Sequence, residues 1–236
     1  MIVGKQKPIE EIWEMVKDYK KVLVFGCNTC VAVCHEGGNK EAEILTSLLR
    51  MKAKQEGADI EFTNGGIERQ CEHEYFENAR EQVEEHDVVL SIACGAGIQF
   101  TSEKWPDKII LPGLNTTFIG VVDEPGVFSE RCLMCGDCIL HLTGGVCPIA
   151  RCSKSIMNGP CGGSEDGLCE VNPDIPCGWQ LIYDRLKAQG RLELLDQVIP
   201  AKNWVTSRDG GPRAQRREDL MNIKENEKEA PDAGEN

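Results

Sequence analysis

The chain has 236 residues, carries 39 acidic against 26 basic side chains, and has a formal net charge of -13. That length suits one large domain or two modest ones, and the acidic excess argues against nucleic acid as a ligand, which a basic patch would announce. No stretch approaches the ~18 apolar residues of a bilayer span, since even Val88 to Phe100 is broken by Ser91, Gly95 and Gly97, so no membrane role is expected.

The opening MIVGKQKPIEEIWEMVKDYKK lacks the apolar core and small-residue cleavage site of a signal peptide, so a cytoplasmic location is expected. Ile9, Ile12, Trp13 and Val16 recur at helical spacing and predict a first helix. Lys21 to Phe25 is a short apolar run closed by Gly26 and predicts a buried strand. A helix is expected from Lys40 to Gln55, with Ile44, Leu45, Leu48 and Leu49 inward and Gly57 as its stop. Asp59 to Phe62 predicts a weak strand, Glu72 to Glu85 a polar helix bearing His73, and Asp87 to Ala93 a strong strand. Lys108 to Leu111 predicts a further strand ending at Pro112 and Gly113. Strands alternating with helices imply an α/β fold with a Rossmann-like or flavodoxin-like parallel sheet over residues 1–128.

From about residue 129 the periodicity gives way to Gly, Pro and Cys. This predicts a small irregular cysteine-rich metal-binding domain over 129–206, organised by its metal more than by an apolar core. Within it, helices are expected at Trp179 to Ala188 and Leu192 to Val198. Residues 207–236 read as a charged, disordered tail.

The 13 cysteines carry the chemistry. An odd number in a reducing compartment does not make a disulfide framework, and the cysteines are clustered: five before residue 100 and eight from Cys132 to Cys177. Cys132, Cys135 and Cys138 sit at two-residue spacing and are followed by Cys147-Pro148, the pattern of a 4Fe–4S cluster. A zinc site would need two Cys-x-x-Cys halves and would leave a third cysteine over. Cys152, Cys161, Cys169 and Cys177 bring this group to the eight ligands of a two-cluster ferredoxin, in which Cys147 could serve the downstream centre. Their looser spacing leaves a structural zinc open as the alternative. Upstream, Cys27, Cys30, Cys34, Cys71 and Cys94 offer five candidates for the four positions of another cluster. Cys27 and Cys94 stand at the carboxyl ends of predicted strands, where open α/β sheets hold their ligands. Redox-active dithiol chemistry at Cys27 and Cys30 is the rival reading there. Cys71 taken alone could be a buried structural cysteine. Two or three 4Fe–4S clusters are thus expected. His35, His73, His86 and His141 are scattered, with His73 and His86 expected on polar helix faces. The fragment Cys94-Gly-Ala-Gly97 lacks the rest of a dinucleotide fingerprint, so its glycines read as room for a cluster or for close packing. No catalytic residues are evident.

The stretch CLMCGDCILHLTGGVCPIARCSKSIMNGPCGG, followed by GLCEV and PCGW, resembles the C-terminal domain family associated with methylenetetrahydrofolate reductase. Asn158-Gly-Pro-Cys161-Gly-Gly163 is the most specific segment. GCNTCVAVCHEGGNKEAEIL, ERQCE and SIACGAGIQ are similar to the small iron–sulfur subunit of the acetogen-type reductase. The resemblance implies that the barrel binding FMN and the folate is a separate catalytic subunit. It implies further that this chain is a non-catalytic subunit relaying electrons to or from that flavin, with a further electron-donor complex as a partner. Every cysteine named above carries over as a metal ligand, and descriptions of the family as zinc-binding keep a zinc-stabilised scaffold open. Redox activation of a corrinoid protein is a third reading. Acidic surroundings would lower a cluster's potential, while glycines beside the cysteines (Gly136, Gly144, Gly145, Gly162, Gly163) let backbone N–H groups approach it.

Overall fold

The computed structural model describes residues 1–221. In chain order the elements are β1 (Ile2–Gln6), α1 (Ile9–Val16), β2 (Lys21–Cys27), α2 (Cys30–Val33), α3 (Asn39–Glu56), β3 (Glu61–Ile67), α4 (Arg80–Glu84) and β4 (Val88–Ser91). They continue with α5 (Gly95–Lys104), β5 (Ile109–Pro112), β6 (Leu114–Glu124), β7 (Val127–Cys132), α6 (Pro148–Arg151), α7 (Gly178–Ala188) and α8 (Glu218–Met221).

β2, β3, β4 and β5 form a parallel sheet in the order β3-β2-β4-β5. β2 reads KVLVFGC without polar alternation because both of its faces are covered. Val22 and Val24 pack with α1 and α3 on one side, and Leu23 and Phe25 with Phe76, Val83 and Trp105 on the other. Helices on both faces and an order that reverses beside the first strand are marks of a doubly wound sheet, whose switch point lies between β2 and β4. The expected parallel α/β sheet is therefore present.

α3 starts where the Glu41 carboxylate accepts the Gly38 N–H at 3.0 Å and ends at Gly57 in the left-handed conformation. Its inward stripe is Ala42, Leu45, Leu49 and Ala53; Ile44 and Leu48 face solvent, against expectation, because only one apolar stripe can meet a flat sheet. The helix expected over 72–85 is two 3-10 turns, His73–Tyr75 and Glu77–Ala79, followed by α4, since Phe76 leaves the polar face to pack on Trp105 and Phe100. His86 is buried, not on a polar face: its ring meets Thr63 Oγ1 at 2.5 Å and the Gln82 carbonyl at 2.6 Å. The weak strand lies at 61–67, later than expected.

Sequence periodicity did not announce a second sheet, in which β6 pairs antiparallel with both β1 and β7. β7 runs directly into Cys132, so the sheet holds the start of the cysteine-rich segment. Beyond it the backbone is mostly irregular around α6 and α7, where Cys177, Trp179, Ile182 and Leu186 form a small core. The segment 192–198 is a 3-10 turn over Leu192–Asp196. The contacts continue past residue 206: Ser207 is buried and Arg213 is hydrogen-bonded to the Cys132–Cys138 loop, so this first part of the segment expected as a tail is packed. Its remainder, 222–236, lies outside the described residues. Among the described residues no helix is long and apolar enough to cross a membrane.

Candidate metal centres

The upstream cysteines meet at the switch point of the parallel sheet. Cys27 is the last residue of β2, Cys30 opens α2, Cys94 caps α5, and Cys71 lies in the loop after β3. Burial pushes the Cys27 thiol up; a charge on Cys94 or Cys71 would add to this, while the N–H groups of Gln70 and Thr29 oppose it. Cys71 is raised in the same way, by burial first and then by Cys94, with Cys30 a smaller influence. These mutual influences put Cys27, Cys30, Cys71 and Cys94 in one neighbourhood. Cys34 is buried just after α2. Its Sγ points at the Val31 carbonyl, 3.4 Å away, and lies 4.0 Å from the Gly4 carbonyl of β1. It packs between the two sheets in one cluster with Cys27, Val3 and Leu114, and Cys94 packs against that cluster. Glu36, just beyond it, accepts the Gln6 N–H at 2.7 Å and locks this loop to β1.

The upstream neighbourhood rests on a residue that no motif or periodicity marks. Gln70 is fully buried, and its amide donates to the carbonyls of Phe25 and Gly26, both at 3.0 Å. Its Oε1 accepts from Ser91 Oγ at 2.7 Å and from Thr101 Oγ1 at 3.1 Å. One side chain thus joins the ends of β2 and β4 and the middle of α5, directly before Cys71. Gly97 gives it room, since a Cβ there would stand 3.0 Å from Gln70 Cβ. Close packing is therefore what that glycine provides.

Cys132, Cys135, Cys138 and Cys147 all line one cavity of about 210 Å³, along with Arg131, Met134 and Ile149. The loop turns through left-handed φ at Met134 (53°) and Gly136 (78°), an alternation that aims N–H groups into a concavity. One of them is seen directly, the Met134 N–H at 3.3 Å from Cys132 Sγ. Cys147 lies on this cavity by position.

The downstream cysteines are more dispersed. Cys177 is buried in the small core and Cys152 packs against it. Cys161 Sγ lies 3.5 Å from Glu170 Oε1, and Glu170 is paired with Lys154. Cys169 lines an open cleft of about 370 Å³ with Gly163, Asp166 and Glu170. Its thiol is lowered to about 7, first by the Ser153 hydroxyl 3.4 Å away and then by the N–H groups of Asn172 and Val171. In metal-free protein the alkylation rate of Cys169 should therefore rise through pH 7, and Ser153→Ala should move that rise towards the ordinary thiol value. Iodoacetamide labelling followed by peptide mass spectrometry measures this; a midpoint unchanged in the variant refutes it. The Asn158 side chain holds Ile199 by two hydrogen bonds, 2.7 and 2.8 Å, and the Trp179 indole donates to the Ile156 carbonyl. Asn158 at least serves to pin the chain around Cys161.

Among the described residues no three His, Cys, Asp or Glu side chains converge closely enough to hold a single metal ion.

Fold and sites together define a mixed α/β protein with a doubly wound parallel sheet, an antiparallel sheet and a cysteine-lined cavity at the end of β7. Residues 111–205 match the family described as methylene-tetrahydrofolate reductase C terminal. The match takes in β6, β7, α6, α7 and all eight downstream cysteines, and relates this segment to the methylenetetrahydrofolate reductases of one-carbon metabolism. Comparison with curated proteins and with solved structures returned no match.

Proposed function

We propose that this chain is an iron–sulfur electron-transfer subunit that docks on a separate, flavin-containing methylenetetrahydrofolate reductase subunit. The observation that carries the reading is the convergence of Cys132, Cys135, Cys138 and Cys147 on one cavity, within the segment that matches the reductase family. Those four residues would hold a 4Fe–4S cluster, which supplies one-electron storage when bound. Four of Cys27, Cys30, Cys34, Cys71 and Cys94 would hold a second at the sheet's switch point. Cys152, Cys161, Cys169 and Cys177 are the candidates for a third centre.

The protein's own contribution is to shape, insulate and present these centres. The Cys132 loop supplies inward N–H groups, and burial at Cys27 disfavours free thiolate unless a metal compensates it. Around the mouth of the Cys132 cavity, Leu133, Met134 and Leu140 are exposed apolar side chains. Such a rim suits contact with another protein, here the flavin subunit, with electrons crossing at the point of contact. A further donor complex would feed the chain from elsewhere.

Anaerobically purified protein is expected to contain iron and sulfide in stoichiometric amounts and to give electron paramagnetic resonance signals on reduction. Cys135→Ala should remove one signal and Cys27→Ala a different one. Protein prepared without air that lacks iron and sulfide sinks the proposal. A zinc-stabilised scaffold is favoured by one observation, the dispersal of the downstream four cysteines, and metal analysis separates the two: colourless protein holding zinc alone would support the scaffold.

A further inference from the structure

The chain after α7 returns to the Cys132–Cys138 loop and covers its outer side. Lys202 Nζ donates to the Asp137 carbonyl at 2.7 Å and lies 3.3 Å from the Asp137 carboxylate. Thr206 Oγ1 donates to the Cys135 carbonyl at 2.9 Å. Arg213 Nη1 donates to the Met134 carbonyl at 2.8 Å and to the Thr206 carbonyl at 3.0 Å. Three carbonyls of the cysteine loop are thus engaged by one strap, residues 202–213. The fit is close: a Cβ on Gly136 would stand 2.2 Å from the Thr206 carbonyl oxygen.

The engagement has an electrostatic meaning. A peptide group presents its carbonyl on one side and its N–H on the other, so fixing the Met134 and Cys135 carbonyls on the strap side keeps their N–H partners towards the cavity, whereas the Asp137 carbonyl held by Lys202 also lies 3.5 Å from Cys135 Sγ. N–H groups near sulfur and positive charges near a cluster both favour the reduced, more negative state. The strap also brings cations to an otherwise acidic protein. The Lys202 side chain is only 1% exposed although its partner carboxylate is 58% exposed. Its charge is therefore poorly screened on the loop side while Asp137's is largely dissipated in water. Arg131 lines the same cavity, ion-paired with Asp123.

We propose that the 202–213 strap sets the reduction potential of the centre held by Cys132, Cys135, Cys138 and Cys147, with Lys202 as the principal positioning residue and Thr206 and Arg213 as its accessories. This rests on the iron–sulfur reading above. The strap holds the Met134 and Cys135 carbonyls away from the cluster and places the buried Lys202 charge on the Asp137 carbonyl beside Cys135, and both raise the potential above what the acidic chain alone would impose.

The test is a redox titration of the full-length, cluster-loaded protein followed by electron paramagnetic resonance. At the wild-type midpoint, Lys202→Met should lower the reduced-to-oxidised ratio of this one centre by about tenfold, equivalent to about 59 mV for a one-electron couple. Lys202→Arg should restore most of it, and the signal removed by Cys27→Ala should keep its midpoint throughout. Asp137→Asn, at an exposed side chain that need not disturb folding, should move the ratio the other way, by about threefold. If Lys202→Met fails to retain the cluster, the sign of the Asp137→Asn shift decides: an upward shift supports the proposal, no shift or a downward one overturns it. A Lys202→Met protein that keeps its cluster at an unchanged midpoint also overturns it, while leaving the iron–sulfur reading intact. Wild-type protein with no reducible centre overturns that reading and the proposal with it.

Discussion

Replacing Gln70 by Leu should cost about 2–4 kcal/mol of stability, the penalty of leaving one or two buried polar groups without partners at about 1–3 kcal/mol each. The Phe25 carbonyl would keep the Ile92 N–H, and the Thr101 hydroxyl would keep the Gly97 carbonyl. The Ser91 hydroxyl, fully buried, would lose its acceptor, and the end of β2 would lose its tie to the loop bearing Cys71. Urea unfolding should show a lower midpoint with an unchanged slope, since the surface exposed on unfolding barely alters. Gln99→Leu, at an exposed position on the same helix that packs on Gln70, should stay within about 0.5 kcal/mol. The functional consequence should be local: the centre that depends on Cys27 should be lost or loosened while the Cys132 centre stays. If Gln70→Leu unfolds at the wild-type midpoint, the amide is not the tie that its hydrogen bonds suggest.

The sequence exposed what periodicity and spacing can carry. The unbroken apolar run of β2 and the DVVLSIA segment around β4 gave the parallel sheet, because strands covered on both faces have no polar alternation to hide them. Cys27 and Cys94 could then be placed at strand ends before any coordinates. The antiparallel sheet was harder to see. β6 is interrupted by Gly120, and its register shifts at two points, so its alternation is blurred. Pro125-Gly126 between Val121-Val122 and Val127-Phe128 was the available sign, as Pro followed by Gly at positive φ suits a tight turn between two strands. α3 misled differently: two adjacent apolar pairs, Ile44-Leu45 and Leu48-Leu49, suggest four inward residues, but the sheet accepts only the second of each pair. The surroundings of the five upstream cysteines could not be read from spacing, because they depend on β1, against which Cys34 packs in one cluster with Cys27. Gln70, Lys202 and Arg213 had no signal at all. Their roles come from hydrogen bonds to backbone carbonyls 44 to 79 positions away, a separation no local pattern encodes.

Ile182→Ala should have the other large effect, and its size should depend on whether metal is present. Ile182 is fully buried in a core shared with Cys177, Trp179 and Leu186, against which, among the described residues, only Val146, Cys152 and Leu194 pack further. Truncating a buried Ile to Ala costs about 2–5 kcal/mol through lost transfer energy and the cavity left behind. In the parallel sheet, Leu49→Ala at an equally buried site should cost a similar amount, yet there the other buried residues of a thirteen-residue cluster share the load. The cysteine-rich segment has no such reserve, and a core this small gives only a few kcal/mol in total. Metal-free Ile182→Ala protein should therefore lose the packing around Trp179 and become open to proteolysis between α6 and α7, with the parallel sheet still folded. Metal bound only to the native form would add stability by mass action and should keep the variant closed. Limited proteolysis with peptide mapping, run on metal-free and metal-loaded protein in parallel, reads both outcomes. Equal protease resistance of the metal-free variant and metal-free wild type would mean that α7 is held by something other than this core.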